Sequence, residues 1–240
     1  MKVIVFGASG MVGQGVLREC LLAPDVESVL VVGRSALTMQ HPILQQLVRP
    51  DLFDYADIEA RFDGYDACFF CLGVSASETD EAGFVRINHD LPLAVGQVLV
   101  RRHAAMVFVY VSGGGTDSTE RGPVMWARVK GKTENALQRL GFRAVYLFRP
   151  GFILPLNGEQ SKTRMLRLLY SYLGWAFAML RKLFPEKILD TVRMGQAMLQ
   201  IARHGNDTAV VESADISRLA ATARVATPAA GKRIADTPGK

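Results

Sequence analysis

Five short apolar runs recur along the chain: Val3–Phe6, Val29–Val32, Cys68–Leu72, Val107–Val111 and Val145–Phe148. They are rich in β-branched and aromatic residues, as strands buried on both faces should be. A weaker strand is expected from Leu44 to Val48. Between the runs lie helical patterns at Met11–Leu22, Tyr55–Phe62, Glu81–His103 and Val124–Leu140. Alternation of this kind predicts βαβ units, a parallel sheet and right-handed crossovers. Pro92 falls inside the third pattern, so that helix must kink or restart there. The expected class is α/β, a Rossmann-like doubly wound parallel sheet with a small helical C-terminal cap.

The alternation ends after Arg149-Pro150-Gly151, where Pro150 fixes the chain direction and Gly151 allows a sharp turn. Residues 161–184 form a basic and apolar helical pattern, and 189–204 another. A short strand at Thr208–Val211 leads to a last helix near Asp215–Arg224, and residues 226–240 read as a disordered tail. No repeat and no long linker divides the chain, so residues 1–225 are expected to be one domain. Within it, 161–204 would serve as a substrate cap or an interface segment. Leu168 to Leu180 is nearly all apolar, flanked by Arg164, Arg167, Arg181 and Lys182. At 1.5 Å per residue it reaches only about 20 Å, short of a hydrocarbon core of about 30 Å. Two readings stay open: a peripheral membrane contact through 161–184, or a substrate-covering helix pair or homodimer contact. An apolar lid would suit an apolar substrate.

Composition changes the picture modestly. The 240 residues are 49% hydrophobic and carry a formal charge of +5. That favours small anionic ligands and gives no reason to expect nucleic acid. Cys68 and Cys71 form a C-x-x-C pattern inside an apolar strand, with no second cysteine or histidine pair nearby. Buried free thiols fit better than a redox or zinc site and suit a reducing cytoplasm. His41, His89, His103 and His204 show no ligand spacing, so no metal is expected. Met1 leads straight into the first strand without a signal-peptide pattern, and a cytoplasmic protein is expected.

The sharpest motif is Gly7-Ala8-Ser9-Gly10-Met11-Val12-Gly13, set between a buried strand and a helix. There a glycine-spaced turn presents backbone N–H groups to a pyrophosphate. Gly7 permits the tight turn, Gly10 the approach of phosphate, and Gly13 close packing of helix on sheet. Ser9, Met11 and Val12 share that turn. The second strand ends in Gly33-Arg34-Ser35, with no acid to bind the two ribose hydroxyls of NAD. Arg34 offers a planar fork for the extra phosphate of NADP, or is simply a solvated arginine. NADP is therefore expected over NAD. Asp51 could accept from the adenine amino group with Leu52 packing on the ring, or serve only as a turn residue. Leu72 and Gly73 close the fourth strand beside the expected cleft. Gly131-Lys132-Thr133 resembles the end of a phosphate-binding loop, but Trp126 stands where that loop needs glycine.

With these residues in hand, the chain resembles the atypical and extended short-chain dehydrogenase/reductases, in the epimerase-like branch that includes the Tat-interacting-protein oxidoreductases. The resemblance covers most of residues 1–160. It rests on the Gly7–Gly13 turn, Cys71-Leu72-Gly73, Phe84-Val85-Arg86-Ile87-Asn88, Tyr110-Val111-Ser112, Val129-Lys130-Gly131 with Glu134, and Phe148-Arg149-Pro150-Gly151. It implies a catalytic serine at Ser112 and a lysine at Lys130 that holds the nicotinamide ribose. The tyrosine of the family's Tyr-x-x-x-Lys set falls at Trp126.

That departure bears on the chemistry. Hydride reduction of a carbonyl needs a proton delivered to the developing alkoxide. A phenol beside a lysine ammonium can supply it, whereas an indole N–H donates a hydrogen bond without ionising. Trp126 and Lys130 are four apart and share a helix face, so the indole either stacks near the nicotinamide or packs in the core. Three replacements are conceivable: Ser112 with a water relay, Lys130 as the acid if burial lowers its pKa, or Tyr110. The expected function is an NADP-dependent oxidoreductase acting on a carbonyl or alcohol. The alternative is a catalytically weak NADP-binding sensor or interaction protein.

Overall fold

In a computed structural model that describes residues 1–155 and 188–226, seven parallel strands form one sheet. They are β1 (Lys2–Phe6), β2 (Ser28–Gly33), β3 (Leu44–Val48), β4 (Ala67–Phe70), β5 (Val107–Val111), β6 (Ala144–Arg149) and β9 (Val210–Glu212). Their order is β3-β2-β1-β4-β5-β6-β9. A two-stranded parallel ribbon pairs β7 (Phe152–Leu154) with β8 (Ile188–Asp190). The helices are α1 (Met11–Leu22), α2 (Glu81–Val85), α3 (Leu91–Arg102), α4 (Met125–Gln138), α5 (Thr191–His204) and α6 (Ser213–Ala226). The segment 161–184, the membrane and dimer readings placed on it, and the tail from 227 onward lie outside the described residues.

Alternation along each strand builds two cores. Val3, Val5, Val29 and Val31 face one side and pack with Val16, Met194 and Met198 from α1 and α5. Ile4, Phe6, Leu30 and Val32 face the other and pack with Leu91, Val95 and Leu137 from α3 and α4. Burial on both faces is why these strands read as continuous apolar runs. The weaker strand forms at Leu44–Val48 and sits at the sheet edge, where its glutamines meet solvent.

Two segments depart from expectation. The helix expected over Tyr55–Phe62 shrinks to one 3₁₀ turn, Glu59–Phe62. Tyr55 is instead drawn into the core at 2% exposure. The Asp54 carboxylate accepts from the Ala56 N–H, and Arg49 holds Asp57 at 2.8 Å, so local polar bonds compete with the helix. The expected Glu81–His103 helix is interrupted by a π-helical turn at Arg86–Asp90. Pro92 explains it: a proline ring displaces the carbonyl four residues back, which is that of Asn88. The released oxygen accepts from the Tyr110 hydroxyl at 3.0 Å and from Thr133 Oγ1 at 2.9 Å.

Candidate active site and cofactor cleft

Strand order reverses direction between β1 and β4, so their following loops diverge and leave a crevice at the carboxyl ends. A cleft of about 570 Å³ opens there. Its lining includes Gly7, Ser9, Gly10, Met11 and Val12 from the glycine turn and Arg34 from the end of β2. Asp51, Leu52, Leu72 and Gly73 complete its walls. The structure thus brings most of the cofactor-site residues expected from sequence to one surface.

The glycines act through geometry. Gly7 has φ +80°, and a Cβ on it would lie 2.6 Å from the Leu72 nitrogen. A Cβ on Gly13 would lie 2.1 Å from the Gly7 carbonyl oxygen, so only glycine lets α1 seat against the turn. Gly13 acts behind the cleft rather than on its wall. Gly10 is the N-cap of α1, without a capping side chain and without an acid in the first turn. The first N–H groups of α1 are left for an anion. Arg34 is exposed and makes no hydrogen bond or ion pair among the described residues, so its fork is open to phosphate. Asp51 spends one carboxylate oxygen on the Phe53 N–H at 2.9 Å, holding its own turn while bordering the cleft. These features fit a pyrophosphate-bearing dinucleotide.

The second group of residues gathers on α4 beyond the end of β5. Gly131 lets α4 press on the following loop, since a Cβ there would overlap the Asp117 carbonyl oxygen. Lys130 Nζ donates to the Ser112 carbonyl at 2.6 Å. The Ser112 hydroxyl, buried at 7% exposure, donates to Glu134 Oε1 at 2.5 Å, with the Phe148 carbonyl 3.1 Å from the same oxygen. Glu134 is fully buried and takes two bonds from Arg149, at 3.1 Å to Oε1 and 2.5 Å to Oε2. Arg149 also donates to the Ser118 hydroxyl at 2.5 Å. Trp126 lies one turn before Lys130, and a methyl on Gly115 would sit 3.7 Å from its ring. Ser112, Trp126 and Lys130 are therefore assembled around one loop.

Burial lowers the Lys130 ammonium to about 8, with the Glu134 carboxylate opposing that shift. Tyr110 is poorly placed to donate a proton to a substrate. Its hydroxyl is buried against the Asn88 carbonyl, and burial pushes its pKa up. Cys68 and Cys71 are free thiols, both raised by burial, Cys71 to about 12. Glu134 and Arg149 were not among the site residues expected from sequence. The spacing Trp126, Lys130, Glu134, every fourth residue on one helix, was the signal for the first; Arg149 carried none beyond its place at a strand end.

Fold and cleft together define a Rossmann-like α/β protein whose cleft fits a dinucleotide. Residues 3–120 match the NAD dependent epimerase/dehydratase family. Protein HTATIP2 of Rattus norvegicus is 29% identical over 156 residues, 64% of this chain and 63% of that one. The protein fmp52-2, mitochondrial, of Aspergillus terreus is 25% identical over 221 residues, 90% of this chain and 95% of that one. The Bordetella bronchiseptica enzyme WbmF, solved in complex with NAD+, shares the fold with a TM-score of 0.62 at 17% identity, over 93% of this chain and 77% of that one. These likenesses support an atypical, epimerase-like short-chain dehydrogenase/reductase family. The fungal relative's mitochondrial name corrects the expectation of a cytoplasmic protein and points away from a purely cytoplasmic location.

Proposed function

We propose that the protein is an NADP-dependent oxidoreductase that interconverts a carbonyl and an alcohol, with Lys130 handling the proton that a tyrosine handles elsewhere in the family. The observation that carries this reading is Lys130: its ammonium is lowered to about 8, and it sits one turn from Trp126, which occupies the tyrosine position. A group titrating near the working pH can both give and take a proton. A bound nicotinamide dinucleotide would supply or accept the hydride. Arg34 favours the extra phosphate of NADP, and the uncapped start of α1 holds the pyrophosphate.

Lys130 has three N–H donors and spends one on the Ser112 carbonyl. In reduction, hydride reaches the carbonyl carbon and a proton passes from Nζ to the oxygen, leaving Lys130 neutral. In oxidation, neutral Nζ takes the alcohol proton as hydride leaves. Ser112 gives its only proton to Glu134, so it offers no donor to a carbonyl oxygen, and the proton delivered there comes from Lys130. Trp126 shapes the pocket.

The same Ser112–Glu134 bond favours a second reading, a protein that binds NADP without turnover, because the hydroxyl is not free to polarise a carbonyl. One experiment separates them. NADPH binding is measured by fluorescence, and its oxidation is followed with a panel of aliphatic and aromatic aldehydes and ketones. Turnover abolished in Lys130→Met supports the oxidoreductase; tight NADPH binding with no turnover across the panel supports the sensor.

A further inference from the structure

The Glu134 carboxylate is fully buried, yet proton transfer as described gives it no task beyond taking the Ser112 proton. It lies one helical turn after Lys130 on the same face of α4. Ser112, just past β5, joins the two residues. Its carbonyl takes the Lys130 Nζ donor at 2.6 Å, and its hydroxyl donates to Glu134 Oε1 at 2.5 Å. We propose that Glu134 is the positioning residue of proton transfer, holding Lys130 in register through Ser112 and keeping its ammonium charged. This deepens the proton-transfer reading above and rests on it.

A carboxylate stays charged in an apolar interior only with partners. Arg149 supplies them from the end of β6, with Nε to Oε1 at 3.1 Å and Nη2 to Oε2 at 2.5 Å. Arg149 is itself fixed, since Nη2 also donates to Ser118 Oγ and Nη1 lies 3.5 Å from Glu212 at the end of β9. The ends of β5, β6 and β9 thus converge on one buried negative charge beside Lys130. Stability alone is a weak reason for such a pair, because apolar residues of similar volume often do as well.

Burial pulls the Lys130 ammonium toward its neutral form, and the Glu134 carboxylate pulls the other way. Few other charges face Lys130. From β6 comes Arg149, turned onto the Glu134 carboxylate, with Glu212 of β9 behind it. In the loop after β5, Asp117 spends its carboxylate on the Thr119, Arg121 and Gly122 N–H groups. Arg128 and Lys132, two residues to either side, lie on other faces of α4. Removing the Glu134 charge therefore disfavours the ammonium twice. The attractive carboxylate is lost, and Arg149 is left as an uncompensated cation.

The test reads Lys130 itself as well as turnover. Lysines labelled with 13C at Cε and 15N at Nζ are titrated by NMR in the protein without cofactor, and the Lys130 signal is assigned by its absence in Lys130→Met. NADPH-dependent reduction of the carbonyl panel is followed over the same pH range. In Glu134→Gln the Lys130 midpoint is expected to fall by about one pH unit, and the falling limb of the rate profile to move with it. For a midpoint starting at about 8, that is a loss of about fivefold in kcat at pH 8, with NADPH affinity unchanged. Glu134→Asp keeps the charge and the pair with Arg149 but draws the carboxylate back by one methylene. It should shift the midpoint in the same direction by less, and it serves where melting curves show Glu134→Gln too unstable to titrate. A midpoint in either folded variant within about 0.2 pH units of wild type, or above it, overturns the proposal. A rate profile that shifts while the Lys130 signal does not also overturns it. If wild type reduces no carbonyl, the oxidoreductase reading falls and takes this one with it. Turnover with an unmoved Lys130 midpoint removes only this inference.

Discussion

The Ser112 hydroxyl donates to the Glu134 carboxylate at 2.5 Å, and both groups are buried. Lys130, one turn earlier on the same helix, donates to the Ser112 carbonyl. One face of α4 therefore grips Ser112 at both its side chain and its backbone. Arg149 closes the arrangement from β6 with two bonds to the same carboxylate. A hydroxyl has one proton to give, and here the protein has claimed it.

Glu134→Gln keeps the shape and removes the charge, leaving Arg149 without its buried counter-ion. Breaking such a pair from one side costs about 3 kcal/mol, and that loss is expected in urea unfolding. NADPH affinity should stay unchanged, because Glu134 lies outside the cleft. Ser112→Ala removes a single bond to the pair and should cost less, about 1–2 kcal/mol. Equal losses in the two variants would show that the charge on Glu134 contributes nothing.

Arg34→Ala tests the cofactor preference. A phosphate bound by a charge-assisted fork should lose at least tenfold in NADPH affinity, about 1.4 kcal/mol, while NADH binding is unchanged. Parallel loss of both cofactors would assign Arg34 to the ribose or the base instead.

Much of this was legible in the sequence, for identifiable reasons. Strands buried on both faces announce themselves as apolar runs, and Gly7 and Gly13 mark a turn that other residues cannot build. The place of Arg34 on the cleft wall was legible because it depends only on its position after a strand. Other features depend on contacts between distant residues. Phe53 and Arg86 are distant in sequence and meet with no local pattern to signal it. Tyr55 fits a helical period, yet the apolar floor beneath it outweighs local helix formation. Pro92 foretold a break, but its consequence, an Asn88 carbonyl shared by Tyr110 and Thr133, needed the packed neighbours.

The pH dependence follows from Lys130. Burial lowers its pKa to about 8, so Nζ is protonated below that value and neutral above it. Carbonyl reduction needs the protonated form and should decline as pH rises through about 8. Alcohol oxidation needs the neutral form and should rise over the same window. Initial rates in both directions across this range check it. A reduction rate that stays flat through pH 8 would mean that the proton comes from another group.

Trp126→Tyr introduces a phenol one turn from Lys130, on the face that the lysine shares. An ammonium nearby favours phenolate, so the new hydroxyl would titrate closer to neutral than a free tyrosine. If Lys130 supplies the proton inefficiently in the native site, this variant should reduce carbonyl probes faster than wild type at equal NADPH affinity. Combining it with Lys130→Met gives the decisive comparison. Activity that survives in the double variant but not in Lys130→Met alone assigns the proton to the introduced phenol. Activity lost in both shows that Lys130 is needed whichever residue stands at position 126. No activity in any of the four forms, with NADPH still bound, would sink the oxidoreductase reading and leave the cleft as a sensor of its cofactor.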